Sequence, residues 1–251
     1  MSTRPFLAFA CAHMTDERLY AHQIEALSAT HDCKVFVFRE QASMEAMAQE
    51  ILANTPERFT LIGLSLGGYV AFEVIRRALT RLERLVLIDT TAIADHPARK
   101  EGRLQDIAKV QQAGIEALIP VLPSRWLLPT HARNADLVDL MSSMARSVGA
   151  KGQFNQQTAM LARPDSHLDL ARVTVPTLLV CGRQDPVTPL ADHEAMAACV
   201  PGSHLVVIED CGHLATIEQP SAVTLALGKW LSSSQRDTGF PSINSPLETK
   251  E

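Results

Sequence analysis

The sequence predicts an α/β domain: a mostly parallel sheet with helices on both faces and one helical insertion. Three observations predict it. Short apolar runs alternate with segments of helical period, the pattern of repeated βα units. The runs are nearly continuous in Val, Ile, Leu and Phe, as strands buried on both faces must be. One connection, from Thr90 to Val175, is too long for a single crossover and contains no convincing strand.

The strands expected in order are Phe6–Cys11, Lys34–Phe38, Phe59–Leu64, Leu85–Asp89, Thr177–Cys181 and His204–Ile208. Helical spacing places helices at Glu17–Thr30, Ser43–Asn54, Gly67–Arg81, Pro189–Cys199 and Pro220–Leu231. Pro189 and Pro220 fall where a first helical turn tolerates proline, because the amide hydrogen missing there has no helical acceptor. The long connection reads as helices at Pro97–Ala113, Ile115–Val121, Ala135–Val148 and Gly152–Ala162, punctuated by Pro120, Pro123, Pro129 and Pro164. These boundaries give a core of residues 1–92 and 171–231, with residues 93–170 as an insertion over the C-terminal edge of the sheet. Ser232–Glu251 contains a serine run, Gly239, Pro241 and Pro246 with little apolar content, and is expected to be disordered.

Composition narrows the function classes. A formal net charge of −5 over 251 residues lacks the basic footprint that nucleic-acid and anionic-membrane binders need. No window approaches the roughly 20 uncharged apolar residues of a membrane span. Five cysteines, an odd number with no Cys-x-x-Cys, sit mostly in apolar runs and point to a reducing, cytoplasmic setting rather than a disulfide framework. Arg4 followed by Phe6-Leu7-Ala8-Phe9-Ala10-Cys11-Ala12 has the shape of a short secretion signal. A buried parallel strand explains it better, because cleavage there would remove a strand that the sheet needs.

The chemistry centres on Gly63-Leu64-Ser65-Leu66-Gly67, followed by Gly68, lying directly between a strand and a helix. A sharp strand-to-helix turn strains the serine backbone, exposes its hydroxyl and requires small neighbours. Ser65 is the candidate nucleophile, and the Leu66 amide at the helix N-terminus is free to donate to an oxyanion. A serine hydroxyl needs a base. His213, in Cys211-Gly212-His213 on the loop after the last strand, is the candidate, since open α/β sheets place their sites at the C-terminal ends of strands. The base in turn needs a carboxylate to fix its tautomer. Asp185 in Gly182-Arg183-Gln184-Asp185-Pro186 is favoured and Asp89 is its rival; Glu209 and Asp210 lie too close in sequence to His213 to orient it.

The order Ser65, Asp185, His213, together with the elbow, resembles the α/β-hydrolase family, specifically small esterase and lactonase-like members with a helical cap. The resemblance runs from about Pro5 to Trp230. It implies the α/β-hydrolase fold, with eight strands in most relatives, and acylation followed by hydrolysis. Two features depart from it. The chain starts almost at the strand that is third in that fold, so strands 1 and 2 are expected to be missing. Relatives carry His-Gly after that strand, whereas this sequence reads Cys11-Ala12-His13-Met14. The alignment makes the His13 amide, or that of Met14, the second oxyanion donor.

Other constellations fail. Ala197 stands where His193-Glu194 would need the second histidine of a zinc-protease motif, no Gly-x-Gly-x-x-Gly follows a strand, and no Walker lysine is present. Nine histidines and five cysteines show no metal-ligand spacing, so neither a cofactor nor a metal is expected. Arg163-Pro164-Asp165 with His167 reads as a salt-linked helix end. Met141, Met144 and Met160 are either pocket or packing residues. The expected activity is serine hydrolysis of an ester or lactone of a small organic molecule, with no nucleic-acid or membrane partner. Carbon–carbon hydrolysis, acyl transfer, or a non-catalytic ligand-binding relative are the alternatives.

Overall fold

A computed structural model of the chain describes residues 4–233. In chain order the elements are β1 (Phe6–Ala10), α1 (Ala21–Leu27), β2 (Asp32–Phe36), α2 (Met44–Ala53), β3 (Phe59–Leu64), α3 (Leu66–Ala78) and β4 (Leu82–Ile88). There follow α4 (Pro97–Ala113), α5 (Leu122–Trp126), α6 (Ala135–Leu161) and α7 (His167–Leu170). The chain closes with β5 (Thr177–Gly182), α8 (Leu190–Cys199), β6 (His204–Ile208), α9 (Ala215–Glu218) and α10 (Pro220–Ser232). The expected tail begins at Ser232, which closes α10; from residue 234 onward it lies outside the described residues.

The strands form one sheet in the order β2-β1-β3-β4-β5-β6, with every pairing parallel. Among the described residues the sheet has these six strands and no antiparallel pair, which is the pattern expected without strands 1 and 2. The apolar segment after Arg4 is an interior strand, paired on one side with β2 and on the other with β3.

Side chains alternate between two cores. Leu7, Phe9, Ile62, Leu64, Val86 and Val180 face one layer, with α1 and α10. Ala8, Ala10, Leu61, Leu85, Leu87 and Leu179 face the other, with α2, α3 and α8. The chain winds outward from β1 to β2, then returns across β1 to β3 and proceeds the other way. Direction therefore reverses between β1 and β3, and the crevice at their C-terminal ends is where such sheets bind ligands. Ser65 follows β3, and His13 lies on the loop after β1.

Several boundaries differ from the sequence reading. β2 and β4 begin earlier, at Asp32 and Leu82. The expected helix Glu17–Thr30 is a 3₁₀ turn at Glu17–Tyr20 followed by α1. Three further differences have a local physical reason. The second strand ends at Phe36, two residues early, because Phe38 is buried by side-chain packing while its carbonyl accepts Gln156 Nε2–H instead of a ladder bond. Ile115–Val121 is not one helix but two short 3₁₀ turns, Ile115–Ala117 and Ile119–Val121, with Pro120 supplying no amide hydrogen. The two helices expected on either side of residues 149–151 meet at Gly149, whose φ of 71° and ψ of 179° kink α6 there. All the described elements between β4 and β5 are helical.

Candidate active site

Ser65 sits in the turn from β3 to α3 with φ 52° and ψ −107°, backbone that costs an L-residue of order 1–3 kcal/mol. Its surroundings over-determine it. Its amide donates to Ile88 O (3.0 Å) and its carbonyl accepts the Thr90 hydroxyl (2.9 Å). The flanking glycines are sterically obligatory: a Cβ on Gly63 would lie 2.4 Å from Gly67 O, and one on Gly67 would lie 2.0 Å from Ala10 O.

His213 follows β6, and its Nε2 lies 2.9 Å from Ser65 Oγ, while Nδ1 lies 2.8 Å from Asp185 Oδ2. A carboxylate against Nδ1 requires that nitrogen to carry the hydrogen, which leaves Nε2 as acceptor for the serine O–H. Both ends of the histidine are anchored, since its own amide donates to Trp126 O (2.7 Å). Asp185 Oδ1 accepts the amides of Val187 (2.7 Å) and Thr188 (3.0 Å), and Oδ2 also accepts the Thr188 hydroxyl (2.7 Å). Burial pushes the Asp185 carboxyl up, but His213 and these donors outweigh it and hold it below the usual carboxylate range.

Asp89, the rival acid, directly follows β4 at φ 42° and is fully buried. Its two oxygens accept the amides of Gly182 (2.9 Å) and Ala215 (2.9 Å), so it bridges the loops that carry Asp185 and His213 without taking the imidazole. Burial, then the neighbouring Asp185, pushes its carboxyl well above the ordinary range. Glu209 is exposed and paired with Arg183, and Asp210 lies in an exposed turn.

At the β1 loop the two expected donors separate. The Met14 amide donates to Gln156 Oε1 (2.9 Å) and is not available to a substrate. The amides of His13 and Leu66 have no partner among the described residues. Gln156 Oε1 also takes His13 Nδ1 (2.8 Å), which fixes that nitrogen as the donor. Burial first, then the Arg103 guanidinium, pushes His13 down to about 3 against the opposing Gln156 bond, so the ring is neutral near pH 7. His13 faces a cavity of about 50 Å³ shared by Ser65, His213, Tyr69, Arg103 and Trp126. Met160 also lines it, whereas Met141 and Met144 pack in the core. Arg163 makes a buried ion pair with Asp95, and His167 pairs with Asp165.

Sequence reasoning missed Gln156, Arg103, Trp126 and Glu218. Glu218 Oε2 accepts the amides of Leu128 (2.9 Å) and Gly212 (3.1 Å) and pairs with His131 Nδ1 (2.9 Å), while Oε1 accepts the Leu214 amide (3.0 Å). It therefore ties the histidine loop to the helical segment. Tyr69, which was also missed, did carry a local signal, since it lies in the first turn of α3, four residues after Ser65.

Asp89, Cys181 and Asp185 bring donor atoms within 4.8 Å of one another. They fit a metal poorly. Every carboxylate oxygen in the set already accepts an N–H or O–H, and burial raises the Cys181 thiol far from its thiolate form.

A family model of the alpha/beta hydrolases matches residues 16–227. The chain belongs to the alpha/beta hydrolase family. Among curated relatives of this hydrolase, 3-oxoadipate enol-lactonase 2 of Acinetobacter baylyi is 27% identical over 169 residues, covering 67% of this chain and 61% of that enzyme's length. Pimeloyl-[acyl-carrier protein] methyl ester esterase of Aromatoleum aromaticum is 29% identical, over 71% of this chain and 76% of the relative. A solved thermophilic esterase from Thermogutta terrifontis superposes with a TM-score of 0.81 at 32% identity, covering 92% of this hydrolase and 90% of the other chain.

Proposed function

We propose that this hydrolase cleaves a carboxylic ester or lactone of a small organic molecule through Ser65, His213 and Asp185. Its relatives are esterases and lactonases, and the protein is a hydrolase acting on ester bonds. The observation that carries the finer reading is the unbroken hydrogen-bond chain from Ser65 Oγ to His213 Nε2 (2.9 Å) and from His213 Nδ1 to Asp185 Oδ2 (2.8 Å).

In this reading the serine hydroxyl gives its proton to Nε2 as Oγ forms a bond to the ester carbonyl carbon. The negative charge that develops on the carbonyl oxygen is received by the Leu66 and His13 amides, each worth about 3 kcal/mol to the barrier. Collapse of the tetrahedral intermediate breaks the carbon–oxygen bond, and the imidazolium passes its proton to the leaving alcohol. Water then attacks the acyl-enzyme with His213 as base, restoring Ser65. Asp185 stabilises the imidazolium throughout. Residues 93–170 serve as the cap over a core of residues 1–92 and 171–231. The five unpaired cysteines support a cytoplasmic setting.

The test is labelling with a fluorophosphonate, read by intact mass, followed by an ester and lactone panel. Wild type should gain one adduct, and Ser65→Ala and His213→Ala none. A folded wild type that neither labels nor hydrolyses any member of the panel overturns the reading.

A further inference from the structure

The cavity beside Ser65 is charged in a way that ester hydrolysis alone does not require. Arg103, on α4, is the only lining residue with a fixed charge, and no lining residue is acidic. Its guanidinium is largely buried, with a side-chain exposure of 13%. Nε and Nη2 donate to the two oxygens of Asp95 (3.4 Å for Nη2). Nη1 donates to Gln157 Oε1 (3.0 Å) and Met160 Sδ (3.1 Å), which leaves one Nη2 hydrogen uncommitted among the described residues.

Asp95 does not neutralise this charge, because it is shared. It also pairs with Arg163 Nη2 (2.8 Å) and lies 3.9 Å from Arg99 Nη1. Asp95 is the sole carboxylate, among the described residues, with which any of the three arginines pairs. Three guanidiniums thus face one carboxylate.

The excess is expensive where it lies. The Asp95 side chain is fully buried and that of Arg163 is 3% exposed. Arg163 lies on the Tyr69 ring at 3.9 Å, and its Nε and Nη1 are buried without an acceptor. Tyr69 and Arg103 both line the cavity, and the positive field there helps keep His13 neutral. Buried, uncompensated positive charge at the edge of a cavity is stabilised when an anion enters. The uncommitted Nη2 hydrogen of Arg103 can make a charge-assisted bond to one carboxylate oxygen, and about 50 Å³ suits that small group.

We propose that the ester or lactone taken at Ser65 carries a free carboxylate, and that the Arg103 guanidinium is the specificity-determining group that receives it. The inference rests on the Ser65 hydrolase reading above and names its substrate class. Val187 O, held by Arg99 Nη2, forms the wall beside the same cavity. The arginine cluster therefore shapes the pocket as well as charging it.

The experiment compares matched pairs at pH 7.5: monomethyl and dimethyl glutarate, and monomethyl and dimethyl adipate. Per ester group, wild type should show a kcat/KM about tenfold or more higher for the anionic monoester, expressed mainly in KM. Arg103→Gln should bring the ratio towards one, and Arg103→Lys should restore part of it. A wild-type ratio at or below one, or a ratio unchanged in Arg103→Gln, overturns the proposal. If Arg103→Gln does not fold, inhibition of wild type decides. Glutarate or adipate should compete with dimethyl glutarate, whereas the neutral glutaramide should not, and equal inhibition by acid and amide overturns it. Ser65-dependent hydrolysis of neutral esters without an anionic preference removes this inference and leaves the hydrolase reading standing. No phosphonate adduct and no hydrolysis of any ester removes both.

Discussion

Asp89 and Asp185 lie just beyond the C-terminal ends of the neighbouring strands β4 and β5 with buried carboxyl groups, yet only Asp185 touches His213, at 2.8 Å. Asp89 spends both oxygens on the amides of Gly182 and Ala215. One acid orients the imidazole and the other fastens together the loops that carry the pair.

These different partners predict different losses. Asp185→Asn should lower kcat by several orders of magnitude with little change in melting temperature, because the amide favours the wrong imidazole tautomer. Asp89→Asn turns an NH₂ group towards a backbone amide and should cost about 1–3 kcal/mol of stability, with a smaller loss of kcat. Thermal melts and ester kinetics on the two variants separate the roles. Equal effects on kcat would refute the division.

The elbow should be intolerant of a single methyl group. A Cβ on Gly67, in the first turn of α3, meets Ala10 O of β1 at 2.0 Å, and both backbone segments are buried with no room to retreat. Gly67→Ala should destabilise by about 3 kcal/mol or abolish soluble expression. Gly228→Ala in α10 meets nothing within 4 Å and should be neutral or stabilise by about 0.5–1 kcal/mol through helix propensity. Chemical denaturation of both variants checks the contrast.

Glu218 places a side chain outside the hydrogen-bond chain under functional load. Its carboxylate holds amides on both sides of the gap between the histidine loop and the 126–131 segment. Glu218→Gln should cost about 1–3 kcal/mol, since one oxygen becomes a donor facing donors. It should also lower kcat, because the His213 amide depends on Trp126 O staying in place. Unchanged kinetics in a destabilised variant would confine Glu218 to stability.

A buried neutral histidine gives a pH signature. His193 is fully buried, its Nε2 accepts the Thr90 amide (3.1 Å), and burial pushes it down to about 4. An unfolded histidine takes its proton near pH 6.5, so between about 6.5 and 4 the unfolded state binds more protons and stability falls as pH falls. Asp89, raised in the folded state, acts in the opposite direction above about pH 4, so the comparison must be between variants. Subtracting the stability–pH curve of His193→Gln from that of wild type should leave a slope of up to about one proton, or ~1.4 kcal/mol per pH unit. A flat difference would refute the neutral histidine.

Much of the fold was legible because the signals were local. β3 at Phe59–Leu64, β6 at His204–Ile208 and α4 at Pro97–Ala113 fall where their apolar runs and prolines place them. The end of β2 did not. Val37 and Phe38 continue its apolar run, but tertiary packing and Gln156, more than a hundred residues away, decide what that backbone bonds.

The same division holds at the site. Sequence alone determined the elbow, since a glycine two residues either side of Ser65 is a steric requirement written into five consecutive positions. It also placed His213 and Asp185 at the C-terminal ends of strands, because parallel βα units put all such loops on one edge. Tertiary structure alone decided which acid meets the histidine, that the Met14 amide is taken while the His13 amide is free, and that Arg103 charges the pocket. Those outcomes depend on distances between residues 28 to 143 positions apart. Hydrogen bonds and ion pairs fall off within a few ångströms, so no spacing along the chain could announce them.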